Sequence, residues 1–204
     1  MRSLIISKQR FLILSLILLT VISCKKERQQ QYTPPAPEVQ MEYFNFNDRE
    51  IKAGASGFSV DLNHDGRKDI AFSTLLVGDP INQVDKFQFL VQSNIKVNLP
   101  VKFGEEIPVM KKGDLIPLSN FESYQWFELS SIILVQKLIS FTQPPVWEGH
   151  WKDAVHRYLP YQIVVTDGIY SGWVELTVDI ANEKLVLHKA GISRQPNKII
   201  KAGI

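Results

Sequence analysis

YQIVVTDGIYSGWVELTVDIANEKLVLHKAGI, Tyr161 to Ile192, decides the fold class. Val174, Leu176, Val178 and Ile180 alternate with Glu175, Thr177 and Asp179, and Leu185 and Leu187 are flanked by Lys184 and His188. A period of two sends successive side chains to opposite faces of an extended chain, which is the pattern of a strand and not of a helix. Asp167-Gly168 lies between two runs rich in branched and aromatic residues. Such a pair tolerates the positive φ that tight hairpin turns demand. Asn182-Glu183 supplies the next turn. The spacing predicts a three-stranded meander over 158–166, 169–180 and 184–193.

The pattern extends toward the N-terminus. Met41–Phe46, Gly57–Leu62, Ile70–Val77, Lys86–Gln92 and Lys96–Leu99 read as further strands. Strands at intervals of 8–12 residues, punctuated by Gly, Pro and Asn, predict an all-β fold: an antiparallel β-sandwich or jelly roll. The segment 121–140 reads two ways. Ser119-Asn120 ahead of Phe121-Glu122 suits the start of one short helix, whereas Ile132, Ile133 and Val135 within 131–137 favour a strand. The tetrapeptide IKAG occurs at 51–54 and 200–203; both copies read as a strand end followed by a turn.

DLNHDGRKDI, Asp61 to Ile70, concentrates oxygen donors. Asp61, Asn63 and Asp65 hold positions 1, 3 and 5, Gly66 holds 6, Arg67 holds 7 and Asp69 holds 9. Calcium takes six to eight hard oxygen ligands at flexible distances. Alternate oxygen side chains converge if the chain curls around an ion, and the curl needs a sharp turn that glycine supplies. Arg67 is compatible with position 7 because the backbone carbonyl would be the ligand there. An Asx-rich turn without metal is the simpler alternative. Position 12, where a helix–loop–helix calcium site carries a glutamate, is Phe72, and strands flank the loop. The loop resembles the calcium loops of FG-GAP and related β repeats, of form D-x-N-x-D-G-x-x-D-[IL]. That resemblance implies a structural calcium held by Asp61, Asn63, Asp65, Arg67 and Asp69; with one copy present it does not imply a propeller. Together with Tyr170, Gly172, Trp173, Val174 and Leu176 and the closing IKAG, the loop is also similar to lipid-anchored and secreted bacterial β proteins. This likeness implies a calcium-stabilised all-β module and no particular activity.

The first forty residues have a different character. Met1 to Arg10 carries three basic residues and no acid, and Phe11 to Ile22 is apolar except for Ser15 and Thr20. A basic region followed by a short apolar run is the pattern of a signal peptide, too short to span a bilayer comfortably. The run ends in VISC, and Cys24 is the only cysteine of the chain. VISC resembles a bacterial lipobox, which implies a signal peptide over 1–23 and acylation of Cys24. Several acyl chains would give a stable membrane anchor. Lys25 to Gln40, rich in Gln and Pro, reads as a tether. The expected organisation is signal peptide 1–23, lipidated cysteine and tether 24–40, and one β-rich domain 41–204. By resemblance to sorting rules, Lys25 after the cysteine points to the outer membrane of the cell envelope. Three of the 23 basic residues precede Cys24, leaving 20 against 21 acidic ones. Near-neutral charge gives no basis for nucleic-acid binding.

Catalytic motifs are absent: no G-x-S-x-G, no H-E-x-x-H and no phosphate-binding glycine loop. His150 and His156 are six apart, a spacing that fits neither i,i+4 on a helix nor i,i+2 on a strand. Glu105 with Glu106, or Glu175 with Asp179, could be drawn as a hydrolytic carboxylate pair, but 175 and 179 fit a solvated sheet face. The aromatics cluster late: Trp126, Trp147, Trp151 and Trp173, with Tyr124, Tyr158, Tyr161 and Tyr170. Trp147 and Trp151, in PPVWEGHW, read first as core packing or loop anchors; as the alternative they are the candidate ligand contacts, since exposed indoles stack on flat ligands and loops carry binding residues. The sequence therefore predicts a non-enzymatic envelope lipoprotein with a calcium-stabilised β-sandwich in a structural, adhesive or scaffolding role, its partner another envelope protein. A carbohydrate-binding module of a glycan-uptake system is the alternative, and an envelope hydrolase comes third.

Overall fold

Alternating side chains build strands along the whole described chain, residues 38–103 and 105–204 of a computed structural model, and no helix forms among them. In chain order the strands are β1 (Met41–Lys52), β2 (Phe58–Val60), β3 (Ile70–Asp79), β4 (Val84–Ser93), β5 (Val97–Val101), β6 (Leu115–Ile116) and β7 (Gln125–Glu128). There follow β8 (Ser131–Ser140), β9 (Val146–Glu148), β10 (Arg157–Val165), β11 (Gly168–Asp179), β12 (Lys184–Ser193) and β13 (Ile200–Lys201). Every pairing is antiparallel. A six-stranded sheet runs β1-β12-β11-β10-β5-β7, a five-stranded sheet runs β2-β3-β4-β8-β9, and β6 pairs with β13. The two large sheets contribute to one core: Phe72, Phe89 and Val135 of the smaller pack in the same cluster as Leu159, Val174 and Leu187 of the larger. The all-β sandwich expectation holds, and so does the meander, with Val165 opposite Gly168 across the Thr166-Asp167 turn.

Two hairpins share one turn chemistry. Asp79 and Asp179 each accept from the backbone N–H and the side-chain amide of an asparagine three residues on, Asn82 and Asn182, at 2.8–3.1 Å. The next residue, Gln83 or Glu183, takes φ 54°. The carboxylate satisfies donors that the turn leaves free, so the side chain sets the register of β3–β4 and of β11–β12. Both copies of IKAG also end a strand and turn, with Gly54 and Gly203 each at φ 72°.

The short helix considered near Phe121 does not form. Phe121 and Tyr124 make an antiparallel bridge, Glu122 adopts φ 48°, and Asn120 Oδ1 accepts from the Trp126 backbone N–H at 3.1 Å. A left-handed residue ends any helical turn, so the asparagine caps the entry to β7 instead. The remainder of 121–140 is β7 and β8.

The larger sheet is covered on both faces. Its outer face carries Trp173 and Tyr158, which pack with Met110, Ile116, Ile200 and Ala202 from β6, β13 and their flanks. Glu175, expected on a solvated face, is therefore buried. It accepts from His156 Nδ1 at 2.8 Å and lies 3.6 Å from Lys189 Nζ. The β10 edge is interrupted at Pro160: the N–H groups of Tyr158 and Val164 reach Met110 and Lys96 on that side, and proline has none to offer. Two glycines make room for large rings. A Cβ at Gly191 would lie 2.7 Å from the Trp173 ring, and one at Gly172 would lie 2.2 Å from Tyr161 Cζ and 2.6 Å from the Gly191 carbonyl oxygen.

Gly172→Ala is expected to destabilise the protein by about 1–3 kcal/mol or more through overpacking against Tyr161. Chemical denaturation checks this; a midpoint within error of wild type would contradict the packing described.

Candidate metal centre

The loop 61–69 connects β2 to β3, and its shape follows from short side-chain-to-backbone bonds. Asp61 Oδ2 accepts from Gly66 N–H at 2.9 Å, Asn63 Oδ1 from Asp65 N–H at 3.0 Å, and Asp65 Oδ1 from Arg67 N–H at 2.9 Å. Each is the local bond that Asp and Asn side chains offer a tight turn. His64 at φ 61° and Gly66 at φ 87° supply the left-handed residues of the curl. A Cβ at Gly66 would meet nothing within 4 Å, so glycine is favoured there by its dihedral angle and not by lack of space.

Asp69 fastens the loop to the core. Its backbone N–H bonds Val60 O at 2.8 Å, its carbonyl accepts from Asn94 N–H at 2.9 Å, and its Oδ2 accepts from Leu62 N–H at 2.6 Å. The residue is only 4% exposed. Burial pushes its carboxyl up from the ordinary 3.8 to about 6; the Leu62 N–H opposes that rise, and the nearby charges of Asp61 and Asp65 add to it. The charges of Asp61 and Asp65 therefore act on Asp69 from the same loop.

The donor set fits a hard cation. Asp61 Oδ1 is buried and has no hydrogen-bond partner, and a buried orphan carboxylate oxygen is costly unless something positive meets it. Asn63 and the Arg67 carbonyl would be the further oxygens of an all-oxygen set of the kind calcium takes. Among the described residues, however, no three His, Cys, Asp or Glu side chains already converge as a metal-binding group. Asp61, Asp65 and Asp69 each turn one oxygen to the loop's own backbone, so closing a cage would require these side chains to reorient. His64 points out of the loop: its Nε2 lies 2.9 Å from Glu42 Oε1, and its ring packs 5.4 Å from that of Phe44.

The other candidate residues are placed differently. Trp151 is fully buried, its indole N–H donating to the Ile107 carbonyl at 3.2 Å; it fills the core beside Leu134, where it serves as an anchor and not as an exposed platform. Trp147 is half-buried and stacks on Phe89 at 6.2 Å. Trp126 packs against Phe121 and donates to Ser119 O. No exposed coplanar indole pair forms among the described residues. His150 sits 4.0 Å from Glu106, whereas His156 stacks on His188 at 4.3 Å. His188 Nδ1 lies 2.6 Å from Asp48 Oδ1 and its Nε2 lies 2.9 Å from Thr177 Oγ1. That polar cluster was not readable from the sequence because it joins β1, β11 and β12 across more than a hundred residues. Cys24 lies outside the described residues. No protein-family model, curated protein or solved structure matches the chain.

The raised Asp69 pKa has a definite sign. Between 3.8 and about 6 the ion-free fold holds a proton there that the unfolded chain has lost, so stability falls as pH rises through this window. Asp69→Asn keeps the acceptor for Leu62 and removes the charge. In chelator its stability is expected to match wild type near pH 4 and to exceed it by about 2–3 kcal/mol at pH 7. Paired denaturation curves at the two pH values check this; an equal gap at both would contradict it.

Proposed function

We propose that the protein is a cell-envelope lipoprotein, held at the outer membrane through acylated Cys24, whose β-sandwich is stabilised by one calcium ion in the loop 61–69. Its role is non-enzymatic: binding or scaffolding at the membrane surface. The observation that carries the calcium reading is the buried, partnerless Oδ1 of Asp61 beside the buried carboxylate of Asp69. A cation there would relieve both the orphan acceptor and the mutual repulsion of Asp61, Asp65 and Asp69. The bound ion supplies charge neutralisation. The chain's own part is to hold β2 against β3 through Asp69 and to fix the turn at Gly66. The anchor rests on the basic, apolar and VISC segments of the sequence.

Saturating calcium over chelator is expected to raise the melting temperature by about 5–10 °C, the equivalent of roughly 2.7 kcal/mol at a hundredfold excess over Kd. Asp65→Ala should abolish that response. Differential scanning calorimetry reads both; an unchanged melt with and without chelator would exclude the ion. Cys24→Ser is expected to move the protein from the detergent phase to the aqueous phase on Triton X-114 partitioning, and persistence in the detergent phase would contradict the anchor.

A further inference from the structure

A groove of about 410 Å³ opens beside the loop, in the range of about 300–1,000 Å³ that small-molecule sites occupy. Leu62, Ile163 and Ile192, all buried core residues, line it together with Val165. Its polar lining comes from three places: Asn63, His64 and Asp65 of the ion loop, Asp167 and Tyr170 of the β10–β11 hairpin, and Glu42 with Arg194 from β1 and the residue after β12. An apolar floor with a few convergent polar groups is the general form of a ligand site.

We propose that this groove binds a short, neutral saccharide, with the ion loop as one of its walls. Two of the polar pairs are hydrogen-bonded before any ligand arrives, and Arg194 stands near one of them. Tyr170 donates to Asp167 Oδ2 at 2.7 Å, and Glu42 accepts from His64 Nε2 at 2.9 Å and lies 3.7 Å from Arg194 Nε. Such preorganisation lowers the entropy lost on binding. What remains is a mixed set. Asp167 Oδ1 can accept from a ligand hydroxyl, and the Arg194 Nη groups can donate to one. An ion in the loop would compensate its carboxylates, Asp65 included, leaving Glu42 and Asp167 set against Arg194. That near-balance suits a ligand with many hydroxyls and no net charge better than an anion or a polycation. Val165 and Tyr170, both partly exposed, supply the apolar surface that suits the C–H face of a sugar ring, and the volume suits a short saccharide.

The linkage to calcium, and the charge balance that favours a neutral ligand, rest on the calcium reading of the loop; the groove itself does not. Asn63, His64 and Asp65 lie in the turn whose backbone the loop carboxylates fix. An ion that sets this wall would raise saccharide affinity, and by reciprocity the saccharide would raise ion affinity.

The test uses the full chain in a non-glycosidic detergent, applied with calcium to an array of neutral mono- to tetrasaccharides, sulfated glycans and cationic peptides. The affinity of the best neutral glycan is then measured by calorimetry, in calcium and in EGTA, and ion binding is followed separately by terbium luminescence. Arg194→Ala and Asp167→Asn are each expected to weaken the glycan about tenfold or more while leaving terbium binding unchanged. Tyr170→Phe, which keeps the ring, controls for folding and should retain part of the affinity. EGTA should weaken the glycan several-fold. Terbium binding without retention of any neutral glycan, or retention indifferent to both groove variants, would overturn the site and leave the calcium reading standing. Retention of cationic peptides in preference to glycans would overturn the ligand assignment. Glycan affinity unchanged in EGTA would overturn the linkage, and absence of terbium binding would overturn the calcium reading.

Discussion

The carboxylate of Asp69 is the constraint on which this end of the molecule depends. It is buried, accepts from the Leu62 amide, and stands immediately before β3, with its own backbone bonded to Val60 and Asn94. Through these three bonds one residue joins β2, β3 and the β4–β5 connection. Its charge also reaches the larger sheet: burial and the nearby Asp69 carboxylate together push the Tyr161 hydroxyl well above its ordinary range. A buried acid with two acidic neighbours is an unfavourable thing for a fold to keep without compensation. Apolar replacement would serve packing as well or better. Its presence at the root of an oxygen-rich loop is therefore read as a sign of function, and the partnerless Asp61 oxygen points the same way.

Much of the fold was legible before the structure. The period of two in 161–192 and the Asp167-Gly168 turn give the β10–β11–β12 meander to within a residue or two, because local alternation and local turn chemistry decide both. The turn at 61–69 was legible for the same reason: its Asp, Asn and Gly residues are close in sequence and its flanks are strands. What sequence could not supply was the identity of the covering layers. Glu175 sits at a polar position of an alternating strand, yet β6 and β13 and their flanks, drawn from 110–116 and 200–202, close over that face and bury it. Trp151 lies in a polar, glycine-containing loop where core anchor and ligand contact are both open readings of the sequence; its ring enters the core where β8 bulges beside Leu134, a position set by a distant strand. Pairings between distant segments carry no period and leave no local mark.

This redistribution of the aromatics changes where a ligand would go. Trp151 is core, and Trp147 and Trp126 are largely taken up by Phe89 and Phe121. In the proposed groove the polar residues lie instead beside the loop 61–69, where Tyr170 is the aromatic and Asp167, Glu42 and Arg194 are the hydrogen-bonding groups. The loop then has two roles. It holds β2 to β3, and it presents Asn63, His64 and Asp65 to the groove.

Calorimetric titration of calcium into chelator-treated protein tests the ion cage most directly. One site per chain is predicted, eliminated by Asp61→Asn because that change removes a charge from the donor with the orphaned oxygen. No binding heat in the wild-type protein, or a site that survives Asp61→Asn unaltered, would contradict it.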